Sequence, residues 1–263
     1  MRYLIALTTV FCLSWPALAA AQLVAPNATG VAMGHVHVFA RDVEAMRQFL
    51  RLLGGEPTQN GTLQMVRFPG AYVNLGSRDM NSGGSVGSVA NHFGFHVKSV
   101  ADTLARIAPL GLKVEQNNPR QAFITGPDDV RVELLQDDAL PVPIRMHHVH
   151  LWLPAPLEAQ AWYIKHFGAT AGKRGDFDTA NVPGVELTFT RQEPALAPTQ
   201  GRSLDHIGFE VRNLEAFLKR LQSLGITEID GPRLGGNKTT KISYVKDPWG
   251  TRIEITEGLE AKP

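Results

Sequence analysis

The chain has 263 residues, 43% hydrophobic and 19% charged, with 26 Lys and Arg against 25 Asp and Glu. That is apolar material for one or two domains, and the even charge balance leaves no electrostatic footprint for nucleic acid or an anionic membrane. A single cysteine excludes a disulfide framework and a cysteine-rich zinc site.

Met1 and Arg2 precede a largely apolar stretch up to Pro16, and Ala17-Leu18-Ala19-Ala20-Ala21 offers small-residue cleavage sites. This is the layout of a secretory signal peptide over residues 1–21. The run is too short to span a bilayer, and no later stretch of 18 apolar residues follows. The expectation is an exported chain, periplasmic or extracellular, without membrane attachment after cleavage. Cys12 lies inside this segment, so the mature chain would hold no cysteine.

Four short segments then resemble one another. They are Gly34-His35-Val36-His37-Val38, Asn91-His92-Phe93-Gly94-Phe95-His96-Val97, His147-His148-Val149-His150-Leu151 and Asp205-His206-Ile207-Gly208-Phe209-Glu210-Val211. Their lead histidines, 35, 92, 148 and 206, are separated by 57, 56 and 58 residues. Each segment alternates polar and apolar residues, the period of a half-buried strand. Each is followed by a helical pattern. Val43, Met46, Leu50 and Leu53 share one helical face in the first unit, and Leu214, Phe217, Leu218, Leu221 and Leu224 share one in the fourth. Gly54, Gly111, Gly168 and Gly225 stand at the helix ends, where a left-handed residue is wanted. Further short extended runs complete each unit, among them residues 72–75, 130–135, 185–190, 242–245 and 252–256.

The unit is therefore strand, helix, then about three strands. One unit is too small to bury a core alone. Adjacent units are expected to pair, giving one domain over residues 32–137 and a second over 146–258. The stretch 138–145, which contains Pro141 and Pro143, reads as a stiffened linker. Residues 91–114 and 205–228 match at a constant offset of 114.

Alternate strand residues face opposite sides. His148, His150 and Trp152 oppose an apolar face of Val149, Leu151 and Leu153; His206 shares a face with Gly208 and Glu210; Glu254 and Glu186 lie on polar faces of later strands. A solvated face normally carries Lys, Glu, Thr and Ser. Imidazole and carboxylate recurring on matching faces are instead good ligands for Ni, Zn, Co, Mn or Fe(II). A divalent metal ion is thus the expected cofactor and a small molecule the expected partner.

These residues resemble the vicinal oxygen chelate (VOC) superfamily over about residues 32–258. That superfamily includes glyoxalase I, extradiol dioxygenases, fosfomycin-resistance enzymes and metal-free bleomycin-binding proteins. The resemblance implies an α+β fold of four βαβββ modules paired into two tandem domains with metal in a cupped sheet. It also implies a ligand set of His148, Glu186, His206 and Glu254, with Glu186 as the mobile base of a glyoxalase-type lyase or isomerase. An extradiol dioxygenase would need only His148, His206 and Glu254. Residues 244–254, from Tyr244 through Asp247-Pro248-Trp249-Gly250 to Glu254, fit that family's signature. The signature's earlier histidine is missing from residues 234–240, and His150 is the candidate substitute. Tyr244, His150 and Glu186 are therefore the candidate catalytic residues. A binding protein without chemistry is the third reading.

In the first half, His35, Asn74, His92 and Glu133 stand at the corresponding positions, either as a weaker second metal site or as a degenerate copy kept for structure. Gly231-Pro232-Arg233-Leu234-Gly235-Gly236-Asn237-Lys238 resembles a mobile substrate loop, or is an ordinary solvated one. The resemblance leaves monomer and homodimer both open.

Overall fold

The computed structural model describes residues Leu23–Glu260; the signal-peptide segment and Cys12 lie outside them. Module 1 consists of β1 (Val31–Ala40), α1 (Val43–Leu53), β2 (Glu56–Asn60), β3 (Leu63–Phe68) and β4 (Ala71–Ser77). Module 2 has β5 (Ala90–Val97), α2 (Val100–Ile107), β6 (Lys113–Asn118), β7 (Gln121–Thr125) and β8 (Arg131–Gln136). Module 3 has β9 (Ile144–Leu153), α3 (Pro156–Phe167), β10 (Thr170–Arg174), β11 (Phe177–Val182) and β12 (Val185–Arg191). Module 4 has β13 (Leu204–Val211), α4 (Leu214–Ser223), β14 (Asp230–Leu234), β15 (Lys241–Lys246) and β16 (Arg252–Glu257). The expected α+β fold of four βαβββ modules is what the chain forms.

Local chemistry sets the helix boundaries. The side chains of Asp42, Ser99 and Asn213 accept from the backbone N–H groups of Ala45, Asp102 and Ala216, capping α1, α2 and α4. Pro156 opens α3, where its missing N–H costs nothing. Gly54, Gly111, Gly168 and Gly225 all take positive φ just beyond the helices, as the pattern required. Met46, Phe49, Leu50 and Leu53 of α1 and Leu214, Phe217, Leu218 and Leu221 of α4 are the buried face. One apolar core runs through both sheets and all four helices. Among the described residues no helix is long and apolar enough to cross a membrane.

The pairing of modules differs from the expectation. The sixteen strands form two eight-stranded sheets, β14-β15-β16-β13-β1-β4-β3-β2 and β10-β11-β12-β9-β5-β8-β7-β6. Module 1 therefore pairs with module 4 and module 2 with module 3, each through antiparallel first strands, β1 with β13 and β5 with β9. Each half of the chain contributes one module to each sheet. The stretch 138–145 does not separate two sheets: it carries the chain from β8 to β9, which flank β5 in the same sheet. The physical reason is reach. Two strand spacings are about 10 Å, which such a connection spans easily.

Candidate metal centres

In each sheet the four central strands turn their polar faces into a cup. In the first cup, His35 comes from β1, Asn74 from β4, His206 from β13 and Glu254 from β16. In the second, His92 comes from β5, Glu133 from β8, His148 from β9 and Glu186 from β12. The expected set His148, Glu186, His206 and Glu254 is thus divided between two cups, as is the weaker set His35, Asn74, His92 and Glu133. Sequence order placed those residues together; the pairing of modules 1 with 4 and 2 with 3 takes them apart. All eight stand on the strand faces assigned to them.

In the first cup, Glu254 Oε2 lies 2.8 Å from His35 Nε2 and 3.0 Å from His206 Nε2. Tyr244 donates to Glu254 Oε1 at 2.9 Å. His206 Nδ1 donates to Asp205 Oδ1 at 2.8 Å, and Asp205 also accepts from Arg78, Arg252 and the Gly201 N–H. A carboxylate behind the distal ring nitrogen fixes the tautomer and presents Nε2 to the cup. His37, two residues along β1, completes a cluster whose donor atoms lie within 4.8 Å of one another. The sequence reading quoted His37 but gave it no role, although its place beside His35 on one face was available.

Burial opposes ionisation of Glu254, but the bonds from His206 and His35 outweigh it and hold the carboxyl well below its usual range. Burial likewise pushes His35 and His37 down, which favours the neutral imidazole in both. It acts on His206 too, but hydrogen bonds to Asp205 and Glu254 outweigh it and raise that group.

Two glycines make room for this geometry. A Cβ on Gly208 would sit 2.0 Å from His35 Cε1, and one on Gly94 would sit 2.2 Å from His148 Cε1. Each histidine ring lies across the neighbouring strand where only glycine leaves space. The turn that delivers Glu254 is likewise explained by its residues. Asp247 Oδ1 accepts from the Trp249 and Thr251 N–H groups, Tyr163 donates to its Oδ2, and Gly250 takes φ 102°.

A cavity of about 220 Å³ opens over the first cup, lined by His37, Asn74, Tyr244, Glu254, Leu63 and the glycine-rich loop at Gly235 and Gly236. The loop expected to cover substrate does lie over it. Arg233 and Lys238 do not line it: Arg233 is paired with Asp230 at 2.6 and 3.1 Å instead. A larger groove of about 830 Å³ between Trp162 and Lys246 is lined by none of the described histidines.

Leu259 closes part of that cavity, held by Glu210, which accepts from the Gly258 and Leu259 N–H groups. Burial pushes the Glu210 carboxyl up to about 7. A raised folded-state value stabilises the protein fully below the ordinary 4.5 and loses that contribution as pH rises to about 7. Glu210→Gln should therefore melt no higher than the parent at pH 4.5 and gain on it up to about pH 7. Melting curves of the two proteins across that window check this; a constant difference would count against it.

The second cup is built on the same plan. Glu133 Oε2 lies 3.0 Å from His92 Nε2 and 2.9 Å from His148 Nε2. His92 Nδ1 donates to Asn91 Oδ1 at 2.8 Å, and Gln121 donates to Glu133 Oε1. His150, the expected substitute acid/base, belongs to this cup and not to that of His206 and Glu254. Glu186 stands outside the donor cluster. It accepts from Arg174 Nε at 2.7 Å and from Thr188 Oγ1 at 2.8 Å. Arg174, on an edge strand, carried no signal in the sequence.

A metal fits these donors. Among the described residues, both nitrogens of His37, the Asn74 side-chain oxygen and His148 Nε2 are buried without a hydrogen-bond partner. His148 Nε2 is close to Glu133 yet not aligned for a hydrogen bond, the relation of two donors aimed at a common third point.

Residues 145–255 match the family described as the Glyoxalase/Bleomycin resistance protein/Dioxygenase superfamily. Residues 145–255 thus resemble a VOC domain, and the fold of the whole chain is similar to that of solved structures. A variant of glyoxalase I from Zea mays is 16% identical and covers 87% of this chain and 94% of its own, with a TM-score of 0.70. A putative dioxygenase from Bacillus subtilis subsp. subtilis str. 168 is 14% identical, with 88% and 86% covered and a TM-score of 0.63. No curated protein matches the chain in sequence.

Proposed function

We propose that this chain is a metal-dependent enzyme of the VOC type acting on a small, oxygenated molecule in the first cup. The observation that carries this reading is the convergence of His35, His206 and Glu254 beneath a cavity that also exposes Asn74, Tyr244 and His37. His35, His206 and Glu254 would hold the ion. Two imidazoles and one carboxylate leave coordination room for paired substrate oxygens, and the ion supplies Lewis acidity toward them. Among the described residues no Lys or Arg lines the cavity, so the ion would be the one positive group there to meet an anionic substrate oxygen.

Lyase or isomerase chemistry of the glyoxalase type needs a base beside the substrate carbon. Glu186, the expected base, is in the other cup, and its counterpart here is Asn74, which cannot take a proton. The base this site offers is His37, a neutral imidazole stacked on Phe39 with neither nitrogen engaged among the described residues. Tyr244 orients Glu254 and faces the cavity. A second reading, extradiol ring cleavage, is favoured by the two-histidine, one-carboxylate set with Tyr244 on its carboxylate, and by His37, which stands where an acid/base could act.

The test is turnover of a panel of hydroxy-carbonyl compounds and catechols by protein loaded separately with Fe(II), Ni, Zn, Co or Mn, with oxygen consumption followed. Isomerisation without oxygen uptake supports the first reading, and iron-dependent uptake on catechols supports the second. In either case His37→Gln should lower kcat by about 10²–10⁴-fold, the usual contribution of a positioned base. No turnover with any ion, together with ion binding unaffected by His206→Ala, overturns both. We further infer export from the layout of residues 1–21; a mature N-terminus beyond Ala21 in secreted protein would support it, and an intact cytosolic chain would contradict it.

A further inference from the structure

We propose that the second cup is a closed, four-donor metal site formed by His92, Glu133, His148 and His150, and that it clasps module 2 to module 3 without performing chemistry. The donors come from β5, β8 and β9, the strands at the junction of the two modules, and their ligand atoms lie within 4.8 Å of one another. All four are buried, at 3%, 2%, 0% and 6% exposure.

Each donor is held from behind by a partner that leaves one atom for an ion. His92 Nδ1 is on Asn91, His148 Nδ1 is on His147, Glu133 Oε1 is on Gln121, and His150 Nε2 is on Thr190 at 2.8 Å. Outer partners of this kind set the tautomer and direction of a ligand. His37, the first-cup counterpart of His150, has no such partner among the described residues and faces the cavity.

The residue that the shared module plan would supply as fourth ligand, Glu186, is withdrawn. Arg174 and Thr188 hold one of its oxygens, and the Arg174 Nη2 donates to Thr188 at 3.0 Å. Phe123 and Phe177 pack edge-on against His92 and His150 at ring separations of 5.3 and 5.1 Å. Closure rests on the number of donors: three imidazoles and one carboxylate, all buried and backed, would fill a tetrahedron and leave no position for substrate, whereas a catalytic site keeps one position open.

The experiment titrates chelator-stripped full chain with Zn²⁺ by calorimetry, records the visible absorption of the Co²⁺ form, and follows Tm at each stage. The parent is expected to take two equivalents, one giving the intense absorption of four-coordinate cobalt. His150→Gln should lose that equivalent and the rise in Tm that accompanies it. Glu186→Gln should keep both equivalents with unchanged affinity. His206→Ala should remove only the other equivalent, which separates this site from the proposed reaction centre. Loss of the second-cup ion in Glu186→Gln but not in His150→Gln overturns the proposal. So does a parent chain that binds a single equivalent abolished by His206→Ala, or a second equivalent that leaves Tm unchanged. Should His150→Gln fail to fold by far-UV circular dichroism, the cobalt spectrum of the parent decides: weak six-coordinate bands only would contradict a closed site.

Discussion

Gly208→Ala is expected to abolish ion binding in the first cup while leaving the second intact. The new methyl carbon would fall 2.0 Å from His35 Cε1, far inside van der Waals contact. The neighbouring atom belongs to a ring held 2.8 Å from Glu254, so it cannot yield without leaving its position as a ligand. Overpacking of this kind costs about 1–3 kcal/mol. Ion affinity should fall by at least the ~100-fold that marks the upper end for losing an outer-shell partner, because here a ligand itself is displaced. Gly94→Ala should do the same to the second cup through His148, whose Cε1 would be 2.2 Å away. Calorimetric titration of each variant checks the pair; equal ion affinity in Gly208→Ala and the parent would contradict the assigned geometry.

Asp205→Ala carries the largest expected loss of stability. Asp205 is fully buried and accepts from His206, Arg78, Arg252 and the Gly201 N–H. Burial works against its charge, but the hydrogen bond and charge of His206, with Gly201 and Arg78, hold the carboxyl well below its ordinary value. Truncation leaves two guanidinium groups, with side chains only 27% and 18% exposed, without their shared counter-charge. Removing one partner of a buried ion pair costs about 3–5 kcal/mol. The same change frees the His206 ring, so ion affinity should drop about 10–100-fold as well. Denaturant midpoints measure the first effect and ion titration the second; a loss below about 1 kcal/mol would mean that the arginines find other partners or water. The sign with pH follows from the lowered carboxyl. Its contribution is present above the ordinary 3.8 and fades as pH falls below it.

Much of this was legible because strand and helix periods are local properties. The alternation around His35, His92, His148 and His206 placed each histidine on the correct face, and the glycines after the helices placed the boundaries. The residue type at each of the eight cup positions was readable too, down to Asn74 standing where Glu186 stands. The partner of each module was not. All four opening strands present the same alternation, so either pairing buries the same apolar faces, and no residue pattern prefers one. The choice is made where β9 docks on β5 and β13 on β1, contacts between modules that the near-equal spacing of the four units does not distinguish from the alternative. That one undetermined step moved Glu186 and His148 away from His206 and Glu254. Arg174 was illegible for a related reason. Its role comes from β10 folding beside β11 at the sheet edge, where its side chain reaches Glu186 twelve residues later.

The central claim is that the reaction centre is shared between the first and last modules. Anomalous X-ray scattering from crystals of the cobalt-loaded protein tests it most directly. The account predicts a peak bounded by His35, His206 and Glu254, at the floor of the cavity that holds His37 and Tyr244. A peak joining His148 to His206, or none in the first cup while the second is occupied, would contradict it.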